Sequence, residues 1–435
     1  MSKKQRIGNK NGLRSPSSSF ISINQIILTA ISGILFYFSI DSRLSDRSKE
    51  LKLFDSFNGP FAENNDLFDV DKVFTDHLPG PESLASYKGD FYTGTKDGRI
   101  VRIHGSNKLS TVISLGPDSC LGKVNIKSCG RPLGVRITSS GDLYTVDALN
   151  GLIKVINIDG SSGQPESKIL YDIDVPVNGN SSVFLDDLVV DDRSPEDRII
   201  YMTDASTLWN INEAVPLIMD MDDSGRILKF SESTGRVEVI LDKLAFPNGI
   251  ELTDTKDALL IGEFTARRLL KHYIDGPKKG TTEVLLDLPG EPDNIRRSAR
   301  RDAETYWVAI SAPRTKLSSL AYDFYSDKPI MRKIVITCYQ LIGSTIENFG
   351  ELFGFEKLVE NGLSIKTLQP FWETYHRSLV IEIDAKGNVI RSLYSNDGYI
   401  HSISEVNDEI MENGQHIIRL GSYANDYLGV LTLST

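Results

Sequence analysis

With 435 residues, 40% of them apolar and 25% charged, the chain is long enough for one large core or two ordinary ones and has a globular composition. A formal net charge of -11, with no basic stripe interleaved with aromatics beyond the amino-terminal tail, argues against nucleic acid as a partner, because phosphates are gripped by clustered Lys and Arg. The chain also lacks the G-x-S-x-G, H-E-x-x-H, G-x-x-x-x-G-K-[ST] and G-x-G-x-x-G patterns, so serine hydrolase, zincin, nucleotidase and dehydrogenase chemistries lose their usual anchors.

Residues 1–19 form a basic tail, with Lys3, Lys4, Arg6, Lys10 and Arg14 and no acid. Residues 20–40, FISINQIILTAISGILFYFSI, carry no charge across 21 positions, enough to cross a hydrocarbon core of about 30 Å as a helix. A transmembrane helix is the expectation. A cleaved signal peptide fits less well because the run ends in Phe-Tyr-Phe-Ser-Ile rather than in small residues, and a buried soluble helix is the third reading. Asp41, Asp46 and Glu50 dilute the basic residues after the span, so the positive-inside rule puts the amino terminus in the cytosol and the rest in the lumen or outside the cell, at the plasma membrane or the endoplasmic reticulum.

A polar linker is expected over 41–65. Of the three cysteines, Cys120 and Cys129 are nine apart in GPDSCLGKVNIKSCGRPLG, where a disulfide would persist in an oxidising compartment; two free thiols are the alternative. Zinc is disfavoured, since neither cysteine has a second pair or a His at ligand spacing. The sequon Asn180-Ser181-Ser182 makes Asn180 a candidate glycosylation site in the same compartment.

From residue 66 to 435 the chain reads as all-β. Alternating runs come in pairs: FYTGT with RIVRI, DLYTV with LIKVINI, RIIYMTD with RILKF, ALLIGEF with LLKHYI, YWVAIS with LVIEI, and HIIRLGS with LGVLTL, each pair bridged by Gly, Asn or Asp turn signals. Six units emerge, with heads near 82, 133, 186, 248, 293 and 401, spaced by about 45 to 60 residues where no insertion intervenes. That period predicts a six-bladed β-propeller; a β-sandwich would not explain a unit longer than a hairpin and shorter than a domain. One interruption stands before the last head, where the spacing of Ile334, Cys338, Leu341, Ile342 and Ile346 predicts a helical insertion over about 328–362, able to cap the propeller mouth, lie against a membrane or simply pack on the surface.

The heads share a chemical character. Glu82, Asp186, Asn248, Asp293 and Asn294 open their units in GPESL, FLDDLVV, FPNGIEL and EPDNIR. Closing the ring brings equivalent positions to its axis, so these oxygen donors can meet although they are far apart in sequence. Singly, each also suits a turn or a cap. Together they suit Ca2+, which takes six to eight oxygens from carboxylates, amides and water, whereas zinc and copper prefer nitrogen and sulfur.

CGRPLGVR with GDLYTVDALNGLIKV, then FLDDLVV with IIYMTDAS, AFPNGIEL and LPGEPDNIRR, together resemble the strictosidine synthase-like branch of the six-bladed calcium propellers, with paraoxonases and gluconolactonase-like propellers more distant. The resemblance runs from about residue 54 to the end. It implies a metal in the central tunnel held by Glu82, Asp186, Asn248, Asp293 and Asn294, and ester or lactone hydrolysis in several branches. Asp186 departs from the family pattern, which has an asparagine there; the change keeps an oxygen ligand and adds a negative charge. His401 falls close to the catalytic glutamate of strictosidine synthase, which argues against amine-aldehyde condensation in this chain.

The expected function is therefore calcium-dependent hydrolysis of small apolar esters or lactones, with His401 or Asp293, and Glu82 if free of the metal, as general base. The competing expectation is a non-catalytic receptor or adhesion module that calcium stabilises and that takes a protein partner. His104, His272, His376 and His416 show no partner in the sequence.

Overall fold

The computed structural model describes residues 39–49, 51–105, 108–117, 129–368 and 376–433. Most of the expected membrane helix, residues 20–38, and the whole basic tail lie outside the described residues, as does Cys120. No described helix is long and apolar enough to cross a membrane. Arg43–Thr435 form one compact unit.

That unit is built from six four-stranded antiparallel sheets arranged as propeller blades. Their first strands are Leu84–Tyr87, Pro132–Ile137, Phe184–Asp191, Pro247–Leu252, Pro292–Arg297 and Ile403–Ile410, and neighbouring first strands pack against one another around the axis. Each pair of alternating runs seen in the sequence forms the second and third strands of one blade. The second strand Leu143–Asp147 is buried throughout, and third strands such as Arg99–His104 alternate buried apolar residues with part-buried basic ones. The fourth strands form the rim; Glu166–Tyr171 is exposed over its first four residues.

The core is divided among the blade interfaces. Between blades two and three, Tyr144 and Leu152 meet Leu188, Ile200, Met202 and Leu228; between blades four and five, Leu260 and Leu269 meet Ile295, Tyr306 and Val308. Between blades five and six, Trp307 and Val380 meet Ile403, Val406 and Ile418. Closure comes from the chain ends: Asp71–Val73 adds the fourth strand to the blade formed by residues 403–433, with Asp71 opposite Val430 and Val73 opposite Leu428.

The helical insertion is present, with two differences from expectation. It interrupts blade five between its second strand, Thr305–Ile310, and its third, Ser378–Asp384, instead of separating that blade from the sixth, and it continues past residue 362. A second, shorter interruption, not foreseen, lies between the second and third strands of blade three and forms α1, Ala214–Asp220. The blade-five insertion contains α2, Ala321–Tyr325, α3, Pro329–Phe353, and α4, Glu356–Lys366. The last two form a close antiparallel hairpin: a Cβ on Gly362 would lie 2.3 Å from the Glu347 backbone nitrogen, and one on Gly343 2.3 Å from that of Lys366. The foot of the insertion is held by buried charge, with Arg314 Nε donating to Asp323 at 2.7 Å and Arg267 Nε to Glu291 at 3.0 Å.

Residues 43–65, expected as a linker, run along the propeller. Arg43 donates to Glu213 at 2.7 Å, the Ser45 amide donates to Asp220 at 2.9 Å, and Leu44 and Phe61 are buried.

Candidate metal and substrate cavity

The first strands deliver their polar side chains through a shared backbone device. In blades two to six the pairing of the first strand with the second slips at Leu133-Gly134, Asp186-Asp187, Asn248-Gly249, Asp293-Asn294 and Ser404. A bulge re-aims the residues in it, here at the axis. Two bulges need glycine for close approach: a Cβ on Gly249 would lie 2.5 Å from the Asp293 carbonyl oxygen, and one on Gly134 2.6 Å from Asp187 Oδ1.

Glu82, Asp186, Asn248 and Asp293 consequently line one cavity of about 660 Å³ at the axis. Asn294 points elsewhere; it is buried but does not line the cavity, and both its amide atoms lack hydrogen-bond partners. The cavity walls are largely apolar, with Phe184, Phe246 and Phe264 in mutual contact at 5.4 and 4.7 Å and Ala214, Val215 and Ile218 from α1. Phe246 and Ser402, both at the cavity, have φ of 56° and 52°, a left-handed backbone that costs energy outside glycine and recurs at functional sites.

The electrostatics are those of crowded buried acids. Burial pushes the Glu82 carboxyl up to about 8, with Asp187 and Glu405 adding repulsion and Arg131 and Arg296 opposing it. Asp186 and Asp293 are both held well above the usual carboxylate range, first by burial and then by the charge of Glu82; a hydrogen bond from Asn248 works the other way on Asp293. Glu82 Oε2 and Asn248 Oδ1 are buried without a hydrogen-bond partner.

Those orphaned oxygens and unneutralised acids suit a hard dication, which would take the place of the missing donors. Among the described residues no three His, Cys, Asp or Glu side chains stand at metal-cluster spacing, so the amide oxygen of Asn248 is needed in the shell. Glu82, Asp186, Asn248 and Asp293 would hold the ion from the cavity floor, and Asn294 would have to turn toward it to join them.

Beneath the floor lies a second charged group that sequence reasoning missed. Arg296 donates to Asp187 Oδ2 at 2.7 Å and Oδ1 at 3.1 Å, and to Ser83 at 3.1 Å, and it pairs with Glu405 at 2.5 Å. The adjacent residues Asp186 and Asp187 thus have separate tasks, one at the cavity and one paired below it. The only sequence signal was a charged residue at a core-facing position of a first strand.

Two cations at the cavity were also missed. Arg131 donates to the carbonyls of Gly80 and Tyr423, and Lys96 donates to that of Ala424 at 2.7 Å. Burial, then the charge of Arg131, lowers the Lys96 amine to about 8. Arg131 stood in the quoted phrase CGRPLGVR, and its place beside the bulge at Leu133-Gly134 was the available clue.

His401 lines the cavity as well. Asn425 donates to its carbonyl at 2.7 Å, and its ring meets that of His376 edge-on at 5.2 Å. Burial, then the neighbouring charges of His376 and Lys72, lowers its pKa, favouring the neutral imidazole. His376, read from sequence as partnerless, therefore belongs to the cavity. The other three have ordinary contacts: His104 with Ser110 at 3.1 Å, His272 with Thr282 at 2.8 Å and His416 with Asp408 at 2.7 Å. Asn180 is exposed, Cys338 is a free thiol, and Cys129 is buried.

Comparison with known proteins follows the same outline. The chain is 32% identical to the adipocyte plasma membrane-associated protein of Bos taurus over 91% of its own length and 86% of that protein, and 33% identical to the Danio rerio protein of the same name over 86% and 81%. The strictosidine synthase profile matches residues 186–277 and the strictosidine synthase-like amino-terminal profile residues 59–103. The chain belongs to the strictosidine synthase-like family. Within the family, it is 34% identical to strictosidine synthase-like 13 of Arabidopsis thaliana over 60% of this chain and 64% of that one. Among solved structures, a gluconolactonase from Xanthomonas campestris superposes with a TM-score of 0.48 at 10% identity, covering 85% of this chain and 91% of that one.

Proposed function

We propose that this protein is a calcium-dependent hydrolase of small apolar esters or lactones, tethered to a membrane by residues 20–40 with the propeller on the lumenal or extracellular side. The observation that carries the reading is the gathering of Glu82, Asp186, Asn248 and Asp293, with unpartnered oxygens, on the floor of a cavity whose walls are aromatic and aliphatic. A divalent ion held there would supply Lewis-acid polarisation of an ester carbonyl.

The chain's own residues supply the rest. Phe184, Phe246, Phe264 and the α1 side chains select an apolar acyl or aryl group and exclude bulk water. His401, kept neutral by burial and held through its carbonyl by Asn425, is suited to take a proton from water at its imidazole. Asp293 is the alternative base where its carboxylate is not engaged. Lys96 and Arg131 add positive charge at the cavity wall, Arg131 within electrostatic reach of Glu82 and Asp186, suited to a carboxylate product.

The competing binding-module reading draws support from the names of the relatives, which describe membrane association and no reaction. The two are separated by assaying the purified chain against aryl acetates and lactones with calcium or chelator. Turnover lost on chelation and in Glu82→Ala, with the variant still folded, is expected; His401→Gln is expected to lower kcat by about 10²-fold or more with KM little changed. A folded, calcium-loaded protein without turnover on any of these substrates refutes the hydrolase reading.

A further inference from the structure

Helix α3 is amphipathic in the wrong sense for a protein surface in water. Its inward side carries Arg332, Ile336, Thr337, Gly343, Glu347 and Gly350, all buried and only one of them a large apolar residue, while its outward side carries Met331, Ile334, Leu341, Ile342, Phe349 and Leu352, each at least 40% exposed. The outward residues recur at intervals of three and seven, with Leu341 and Ile342 adjacent, which keeps them on one stripe about 100° wide. No charged residue occurs between Lys333 and Glu347. Phe353 and Phe355 extend the exposed apolar side around the tip of the hairpin, at 56% and 54% exposure. A soluble monomer rarely displays so continuous an apolar strip without a function for it.

We propose that the α3–α4 hairpin lies on the surface of a phospholipid bilayer, with the outward stripe of α3 immersed at the headgroup and acyl boundary. The helix spans about 37 Å along its axis, and no described helix is suited to cross a membrane, so it lies in the plane of the interface.

The position of the tether selects lipid over other occupants. The uncharged segment of residues 20–40 ends three residues before Arg43, a reach of about 10 Å. Arg43 lies 3.9 Å over the ring of Trp209 just before α1, and the next residues follow the start of α3: Arg332 donates to the carbonyls of Ser45 at 3.3 Å and Arg47 at 2.9 Å, and Lys333 pairs with Asp46 at 2.7 Å. If residues 20–40 span a bilayer, that reach holds the first turn of α3 near its surface, and the stripe leads away from that point. The packing inside the hairpin agrees: α3 and α4 meet at Gly343, Gly350 and Gly362, where an added Cβ would collide with backbone, so the apolar stripe of α3 takes no part in that contact. Because α1 and Thr367, just beyond α4, both line the cavity, docking also brings the cavity to the interface, where esters dissolved in the membrane could enter. That corollary rests on the hydrolase reading; the docking does not.

The test uses the full chain with Cys338→Ser and a single environment-sensitive fluorophore at Leu352→Cys, reconstituted in phosphatidylcholine vesicles; a second preparation carries the probe at Lys168→Cys on the exposed rim strand of blade two. Flotation with the vesicles reports the anchor. The expected result is a blue-shifted Leu352 probe that lipids brominated in their acyl chains quench, and a Lys168 probe that shows neither effect. A floating protein whose Leu352 probe is as wet and as unquenched as that at Lys168 overturns the docking alone. A Leu352 probe that is shielded but not quenched by brominated lipid is covered by protein, residues 20–38 or a second copy, and overturns it equally. A chain that does not float overturns anchor and docking together.

Discussion

Replacing Arg296 by methionine removes the one guanidinium that joins Asp187 and Glu405, both 0% exposed, and also bonds Ser83. Blades one, three, five and six all meet at this side chain, so its loss leaves two buried carboxylates short of charge at the axis, Glu405 with the Leu84 amide at 2.7 Å and Asp187 with the Ile250 amide at 2.9 Å and Arg136 at 3.6 Å. Breaking a buried ion pair from one side costs about 3–5 kcal/mol. For the roughly 390 residues of the propeller unit, at about 2.1 cal/mol/K per residue, this becomes a fall in Tm of about 4–6 °C. Calorimetry and urea unfolding of calcium-loaded protein at neutral pH measure it. Adding Asp187→Asn to Arg296→Met is expected to restore part of the loss by discharging one stranded carboxylate, and Arg296→Lys to lie in between, keeping the charge but losing the two-pronged geometry. A loss below about 1 kcal/mol, or no recovery in the double variant, refutes the idea that Arg296 pins the axis.

Asp186→Asn is expected to weaken calcium binding about tenfold or more and to raise any esterase rate, since an added carboxylate tightens the ion electrostatically and blunts its pull on a carbonyl; isothermal titration and initial rates decide, and unchanged values sink the reasoning. In calcium-free protein the raised Glu82 pKa gives stability a sign with pH: the fold holds a proton that the unfolded chain releases, so stability is full below pH about 4.5 and declines as pH rises toward about 8. Chelated protein should show that decline in melting curves and calcium should flatten it; a flat chelated profile contradicts it. A Cys120–Cys129 disulfide should protect both thiols from alkylation until reduction and contribute roughly 2–3 kcal/mol; free alkylation of Cys129 in the unreduced, denatured chain excludes it.

What the sequence disclosed follows from which strands are buried. The second and third strands of the blades carry alternating apolar residues that pack between blades, and all six pairs stood out. The rim strands, such as Glu166–Tyr171, are polar and exposed and carry no comparable signal, and Asp71–Val73 is only three residues long. The cavity residues were legible because they repeat at the head of each unit. Arg296, Asp187 and Glu405 were not, because each stands among other charged residues of its strand and its partner lies in another blade, and Lys96 and Arg131 sit where a turn and a strand start would also accept a basic residue. The insertion showed its helical period, but no local pattern marks whether a helix separates two blades or interrupts one.

The closing blade sets a timetable for biosynthesis. Its outermost strand, Asp71–Val73, is made early, while the strand it must pair with, Leu428–Leu433, is made last among the strands of the ring. Earlier blades can form while translation proceeds, but the ring stays open until residues 428–433 have been made, with the edge of blade one waiting for its neighbour. A premature stop that removes only the last strand would thus leave five blades intact in sequence and no closed circle, giving quality control a large exposed target from a small truncation.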